Sequence, residues 1–206
     1  MQRRGEASAA PHPHGRCVIQ ECRTRLLEMF VSPGETGDHA KGTAMAKSVF
    51  YSFHYDNDVH RVQLVRQIDA LTGAPEITGQ NWEQVRYKTE TAIQNWIDKE
   101  MNYKKAVIVL IGRKTSERHY VQYEIERAWS MKKPLLGVRI HGLASLSDGA
   151  DSPGEDPFQA LGLNGVPVFD PTQKDWYTSR IDTKATFNEL RRQLPSWADR
   201  GVVRWS

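Results

Sequence analysis

Residues 106–111 read AVIVLI, an unbroken apolar run in which β-branched side chains predominate. Helices cover both faces of a parallel sheet, so a central strand of such a sheet needs no alternation of apolar and polar side chains. The run is also far shorter than the roughly 20 apolar residues that a membrane-spanning helix requires. It therefore predicts the central strand of a parallel sheet.

The segments on either side alternate between strand-like and helix-like patterns. Further strands are predicted at 48–53, 135–140 and 166–169. Helices are predicted at 58–71, 88–101, 119–129 and 183–194. The strand around Pro167 is expected at an edge, because proline has no backbone N–H to donate, and 72–86 is expected to be a loop that could hold a short strand. Strands that alternate with helices indicate an α/β fold with right-handed crossovers.

The composition is that of a soluble globular protein, since 39% of the 206 residues are hydrophobic and 26% are charged. A formal charge of +3 is too small to indicate a nucleic-acid partner. No apolar stretch follows Arg3 and Arg4, so no secretory signal peptide is expected. Cys17 and Cys22 have no His or Cys cluster beside them, which argues against a zinc site. We therefore expect a cytoplasmic protein with no membrane partner and no metal.

The chain divides by composition near Met45. Residues 1–44 are rich in Gly, Ala, Pro and His and are expected to be disordered or to be a non-native extension. Met45 is followed at once by AKSVFYSF, a good opening strand. Residues 45–206 are therefore predicted to form the folded domain.

Two glutamates in the helix at 119–129 differ in the direction they face. At about 100° per residue, Val121 and Ile125 define an apolar stripe. Glu126 then points to the polar side, whereas Glu124 lies on the rim of the apolar stripe. A carboxylate there is costly unless it is paired, neutralised or facing a cleft. Geometry alone favours a structural salt bridge to a nearby Lys or Arg, and the cleft stays open as the alternative.

In parallel sheets, ligands bind beyond the carboxyl ends of the strands. Three loops leave those ends: SFHYDND at 52–58, GRKTSER at 112–118 and HGLASLSDG at 141–149. The second loop combines cations with a helix start, which suits a phosphate. Plainer alternatives exist: Asp56 or Asp58 could cap the first helix, and the cations could be ordinary loop charges. His54 is more commonly a structural residue than a catalyst.

Several familiar motifs are missing from the sequence. There is no GxGxxG after a strand and no GxxxxGK[ST], which argues against dinucleotide-dehydrogenase and P-loop classes. GxSxG and HExxH are absent as well. The central strand ends without an acidic residue, which argues against a receiver-like phosphoacceptor domain.

The combination of KSVFYSFHYDNDVHRV at 47–62 and AVIVLIGRKTSERHYVQYEIERAWSMKKPLLGVRI at 106–140 resembles a known family. It is similar to the TIR-like domains of bacterial antiphage systems, above all the ThsB-like proteins of Thoeris. The resemblance implies a flavodoxin-like three-layer sandwich whose mostly parallel sheet has helices on both faces. Glu124 matches the catalytic glutamate of that family, and Tyr120 stands where tryptophan is usual.

The resemblance further implies that NAD⁺ is a substrate and that no cofactor is needed. Such enzymes cleave the nicotinamide–ribose bond, and ThsB-like members make a cyclic ADP-ribose-type signal for an effector protein. Glu124 would be catalytic, Phe53 and His54 would flank the ribose or a base, and Arg113 and Lys114 would neutralise the pyrophosphate. The full set of expected substrate-binding residues is Ser52, Phe53, His54, Asp56, Asp58, Arg113, Lys114 and Thr115.

Two other functional classes remain open from the sequence. The first is a non-catalytic TIR-like interaction module that acts by self-association. The second is a nucleotide-binding α/β domain with another substrate, such as a nucleoside hydrolase or transferase. Release of nicotinamide from NAD⁺ would separate both classes from the enzyme.

Overall fold

A computed structural model describes residues 48–68, 88–144 and 149–204. The predicted N-terminal extension at 1–44, the start of the predicted domain at 45 and the predicted loop at 72–86 lie outside these residues. The predicted helix at 58–71 is described only as far as residue 68.

The described strands form one parallel sheet in the order β1-β2-β3-β4. Their bounds are β1 Val49–Phe53, β2 Ala106–Ile111, β3 Leu135–Arg139 and β4 Val168–Phe169. All of β2 is buried between two parallel neighbours, which confirms the central strand predicted from AVIVLI. β4 has only β3 as a described neighbour, as the proline before it predicted.

The helices predicted at 88–101, 119–129 and 183–194 begin and end within three residues of the predicted positions, whereas the helix predicted at 58–71 ends five residues early, at Arg66. The bounds of the described helices are α1 Tyr55–Arg66, α2 Glu90–Asn102, α3 His119–Ser130, α4 Pro157–Ala160 and α5 Thr183–Trp197. α1 begins at Tyr55, not at Asp58 as predicted, because His54 caps it: His54 Nδ1 accepts a hydrogen bond of 3.1 Å from the backbone N–H of Asn57. The four-residue helix α4, whose N-cap is Asp156, was not predicted.

Apolar side chains bury the sheet on two sides. Every second residue of β2, starting with Val107, packs in a cluster with residues of α2 and α3, including Ile97 and Ile125. The alternate residues, such as Ile108, are fully buried too, although they point the other way. α1 and α5 contact each other and have buried apolar side chains of their own, so they form the second helical layer. The molecule has the expected α/β, flavodoxin-like arrangement.

Within the described part of the chain, every helix is too short or too polar to cross a lipid bilayer.

Candidate functional site

Glu124 lies on the buried side of α3, against the end of the first strand. Ser52, the penultimate residue of β1, donates a hydrogen bond of 2.5 Å from its Oγ to Glu124 Oε2. Ser52 is fully buried and Glu124 is only 9% exposed, whereas Glu126 is exposed. Glu124 makes no ion pair with any residue that the structure describes. The inward direction predicted from helix periodicity is therefore confirmed, and the salt bridge that geometry favoured is not found there.

Burial sets the protonation of this carboxyl group. Burial raises the pKa of Glu124 to about 8, and the hydrogen bond from Ser52 acts in the opposite direction. At neutral pH the side chain is therefore mostly protonated in the empty protein. A cationic group beside it would favour the carboxylate and lower the pKa again.

Glu124 faces a cleft of about 520 Å³, part of which is open to solvent. β1, the start of α1, α2 and α3 all contribute side chains to its walls. The lining residues are Phe50, Tyr51, Phe53, Tyr55, Trp96, Arg118, Tyr120, Val121 and Glu124. Most of these side chains are aromatic, so the cleft offers flat apolar faces against which ring systems can stack. One carboxyl group and one guanidinium group supply the charge.

The guanidinium belongs to Arg118, the residue that immediately precedes α3. Arg118 Nη2 lies 3.1 Å from Asp56 Oδ2, so the ion pair joins the loop after β2 to the first turn of α1. No role was predicted for Arg118 from the sequence. Its place beside the predicted helix start was the available signal, because residues there border the carboxyl end of the sheet.

Asp58 is buried on α1 and does not line the cleft. Its Oδ1 accepts hydrogen bonds of 3.0 Å from both Asn57 Nδ2 and Arg61 Nη1. Arg61, which is 3% exposed, also donates to the backbone oxygens of Leu143 and Gly149. Burial raises the pKa of Asp58, and the adjacent Arg61 lowers it. Arg61, which is paired with Asp58, therefore ties α1 to the loop after β3.

Gly112 explains how Asp58 fits into this position. A Cβ atom at Gly112 would lie 2.5 Å from Asp58 Cγ, far closer than real Cβ atoms approach another atom. The backbone that follows β2 therefore packs directly against the carboxyl group of Asp58. A side chain at position 112 would force the two segments apart.

His54 and Thr115 also have local structural contacts. Besides capping α1, His54 is 8% exposed, and burial followed by the nearby charge of Arg118 lowers its pKa. Thr115 is fully buried; its Oγ1 accepts from the backbone N–H of Gly112 and donates to the carbonyl of Leu110. Neither side chain is part of the cleft lining.

Arg113 and Lys114 are not part of the cleft lining. Both are exposed, and the nearest carboxylate to Arg113 is that of Asp151, 3.8 Å away. A Cβ atom on Gly154 would lie 2.7 Å from the Arg113 carbonyl oxygen, so the backbone at Gly154 packs directly against this loop. The structure thus brings neither of these predicted phosphate contacts to Glu124.

Four of the predicted site residues do meet at one place. Glu124 and Phe53 line the cleft, Ser52 bonds to Glu124, and Asp56 pairs with Arg118 at the rim. Their roles toward a ligand stay predictions. The described residues contain no group of three His, Cys, Asp or Glu side chains that could hold a metal ion.

Comparison with known proteins matches this region to one family. Residues 50–145 match the family model described as "Thoeris protein ThsB, TIR-like domain". The chain is also similar to the "Putative cyclic ADP-D-ribose synthase ThsB1" of Bacillus cereus (strain MSX-D12), with 31% identity over 123 residues. That alignment covers 57% of this chain and 64% of the relative, which is less than two thirds of its length. The segment that carries Ser52, Arg118 and Glu124 is therefore similar to the TIR-like domain of the Thoeris protein ThsB.

Proposed function

We propose that this chain cleaves the bond between nicotinamide and ribose in NAD⁺ and joins the remaining ADP-ribose into a cyclic signal. The observation that carries the proposal is Glu124, a buried carboxyl group bonded to Ser52 in an aromatic cleft and ion-paired to none of the described residues. The name of the Bacillus cereus relative supports the same reaction. The signal would act on a separate effector protein.

The proposed reaction requires one correctly positioned carboxylate from the protein. When the glycosidic bond breaks, its electron pair stays on the pyridine nitrogen, so nicotinamide leaves as a neutral molecule without a general acid. Positive charge develops on the ribose, as in other reactions with an oxocarbenium-like transition state. A carboxylate fixed in a site of low dielectric stabilises that charge more strongly than it would in water. The buried position of Glu124 in the cleft supports this role.

The raised pKa of Glu124 fits a cationic substrate. The nicotinamide ring of NAD⁺ carries a positive charge before the bond breaks, and this charge would favour the ionised carboxylate. Ser52 donates to the carboxylate and supports the same ionised form. Binding of NAD⁺ would therefore ionise Glu124, and the negative charge would then stabilise the transition state.

The aromatic walls would decide what happens to the ribose cation. Phe53, Tyr55, Trp96 and Tyr120 line the cleft and offer stacking faces to the nicotinamide ring. Water that is excluded from the cleft cannot capture the cation. An atom of the adenosine half of the same molecule would then fold back and form the new bond to the ribose carbon, and the release of a proton would complete the cyclic product.

Incubation of the full chain with NAD⁺, followed by mass spectrometry, tests the proposal. The wild type should release nicotinamide and a cyclic product. Glu124→Gln keeps the shape but not the charge, and should lower the rate by about 100-fold or more. Glu126→Gln is the matched control, because it makes the same change two residues away on the exposed side of α3. Full activity in Glu124→Gln, or no product from the wild type, would overturn the proposal.

One observation favours a second function, a non-catalytic module that self-associates. Trp176 and Tyr177 are 91% and 81% exposed at a turn held by Asp175. Exposed aromatic pairs are common at protein interfaces. A concentration-dependent dimer that is lost in Trp176→Ser, together with an absence of NAD⁺ cleavage, would favour this function.

A further inference from the structure

We propose that Arg118 binds the diphosphate of the substrate and that Asp56 holds this guanidinium in position until the substrate replaces it. The inference rests on the proposed function for the identity of the substrate as NAD⁺. It adds a residue that determines substrate class, since it restricts the cleft to nucleotides that carry a diphosphate. It also assigns to Arg118 the role that the sequence suggested for Arg113 and Lys114.

Arg118 is the cation that the structure places in the wall of the cleft. It lies in the lining together with Glu124, whereas Arg113 and Lys114 do not. Among the described residues, Arg118 forms an ion pair with Asp56, at 3.1 Å. Arg118 and Asp56 are 39% and 56% exposed, so a ligand entering from solvent can reach both.

The spacing between Arg118 and Glu124 along α3 matches the order of the groups in a dinucleotide. Arg118 precedes Glu124 by six residues, which is about 9 Å along a helix axis at 1.5 Å per residue. Glu124 is buried beside Ser52, and Arg118 is at the exposed rim. A ligand whose ribose reaches Glu124 therefore presents its next group, the diphosphate, to Arg118. The nicotinamide end enters first and the adenosine end stays nearer to solvent.

The ion pair between Arg118 and Asp56 is weak enough for a substrate phosphate to replace Asp56. Pairs between half-exposed side chains are weak, so their separation costs little. A guanidinium has a planar fork of donors that matches two oxygens of a phosphate group. Asp56 thus keeps Arg118 ordered in the empty protein and also competes with the substrate for it. Removal of Arg118 should therefore weaken substrate binding, whereas removal of Asp56 should strengthen it. An ion pair that only links α1 to α3 would not produce these opposite effects.

The test is calorimetric titration of the full chain with ADP-ribose, which has the diphosphate but no nicotinamide to lose. Arg118→Gln should weaken binding about 10- to 100-fold, which corresponds to one or two charge-assisted hydrogen bonds. Arg118→Lys keeps the charge but not the fork, and should be intermediate. Asp56→Asn should tighten binding by about two- to fivefold, because the competing carboxylate is gone.

Two controls make the result specific. Arg113→Gln removes a neighbouring exposed arginine outside the cleft and should leave ADP-ribose binding within about twofold of the wild type. Adenosine, which has no phosphate, should bind wild type and Arg118→Gln equally. With NAD⁺, Arg118→Gln should raise KM far more than it lowers kcat.

The outcomes separate this inference from the proposed function. If ADP-ribose binds through Arg118 but the wild type releases no nicotinamide, the proposed reaction fails and the diphosphate site stands. If the wild type cleaves NAD⁺ and Arg118→Gln does so with unchanged KM, the reaction stands and the role of Arg118 fails. A wild type that does not bind ADP-ribose, or an Arg113→Gln variant that loses binding equally, also overturns the inference.

Discussion

Ser52 Oγ lies 2.5 Å from Glu124 Oε2, a hydrogen bond between residues 72 positions apart that joins the end of β1 to the inner side of α3. Both side chains are buried. The bond fixes the rotamer of Glu124 and lowers its pKa against the effect of burial. The charge available for the proposed reaction therefore depends on a residue of a different element.

Ser52→Ala should raise the pKa of Glu124, because it removes the interaction that favours the carboxylate. Nicotinamide release at pH 7 should fall about tenfold for each unit by which the pKa rises. The measurement is the pH profile of kcat/KM, whose midpoint should move to higher pH. Ser130→Ala, at the exposed end of α3, is the control and should leave the midpoint unchanged. A lower rate with an unchanged midpoint of the pH profile would contradict the proposal that Ser52 acts by lowering the pKa of Glu124.

The wild type should itself become more active as pH rises. In the proposed reaction Glu124 acts as the carboxylate, and burial raises its pKa to about 8. Because kcat/KM reports the free enzyme, it should increase from pH 6 and level off above about pH 8 to 9. Initial rates at NAD⁺ concentrations far below KM provide the profile. A flat profile between pH 6 and 9 would show that Glu124 does not titrate in the mechanism.

Glu124→Gln should stabilise the fold at alkaline pH while it abolishes activity. The pKa of Glu124 is about 8 when folded, against 4.5 as the ordinary value, so the folded state binds more protons between these pH values. Wild-type stability contributed by this group therefore falls as pH rises through that window and is lowest above it. Glutamine has no such penalty.

Urea unfolding at pH 5 and pH 9 measures this difference. The free energy of unfolding of Glu124→Gln relative to wild type should be higher at pH 9 than at pH 5, by on the order of 2–4 kcal/mol. Glu126→Gln should show nearly the same difference from wild type at both pH values, because its side chain is exposed. Equal behaviour of the two variants would mean that Glu124 is not buried in solution.

Gly112→Ala should destabilise the domain. Its Cβ atom would lie 2.5 Å from Asp58 Cγ, and Asp58 cannot withdraw freely because it is paired with the buried Arg61. We expect a loss of about 1–3 kcal/mol in the free energy of unfolding, as in other overpacked sites. Gly165→Ala is the matched control, since no atom lies within 4 Å of its added Cβ. A Gly112→Ala protein as stable as this control would contradict the described packing of Asp58.

Local periodicity was enough to predict the described strands, three of the described helices and the direction of Glu124. An apolar run without alternation can be buried on both faces only as a central strand, and AVIVLI is that strand. The helix pitch separates Glu124 from Glu126 by about 200°, so one must face inward when the other faces water. Both predictions depend only on the strand or helix geometry of a single short segment.

The partners of these residues were decided by tertiary structure. Arg118 meets Asp56 across 62 positions of chain, whereas Arg113 lies outside the cleft lining, where Gly154 packs against its backbone. The packing of two strand ends and a distant segment decides which cation of GRKTSER faces the cleft. The residue pattern within the loop does not predict that packing. The sequence could place charge near the carboxyl end of the sheet, but only long-range packing selects the side chain that reaches the cleft.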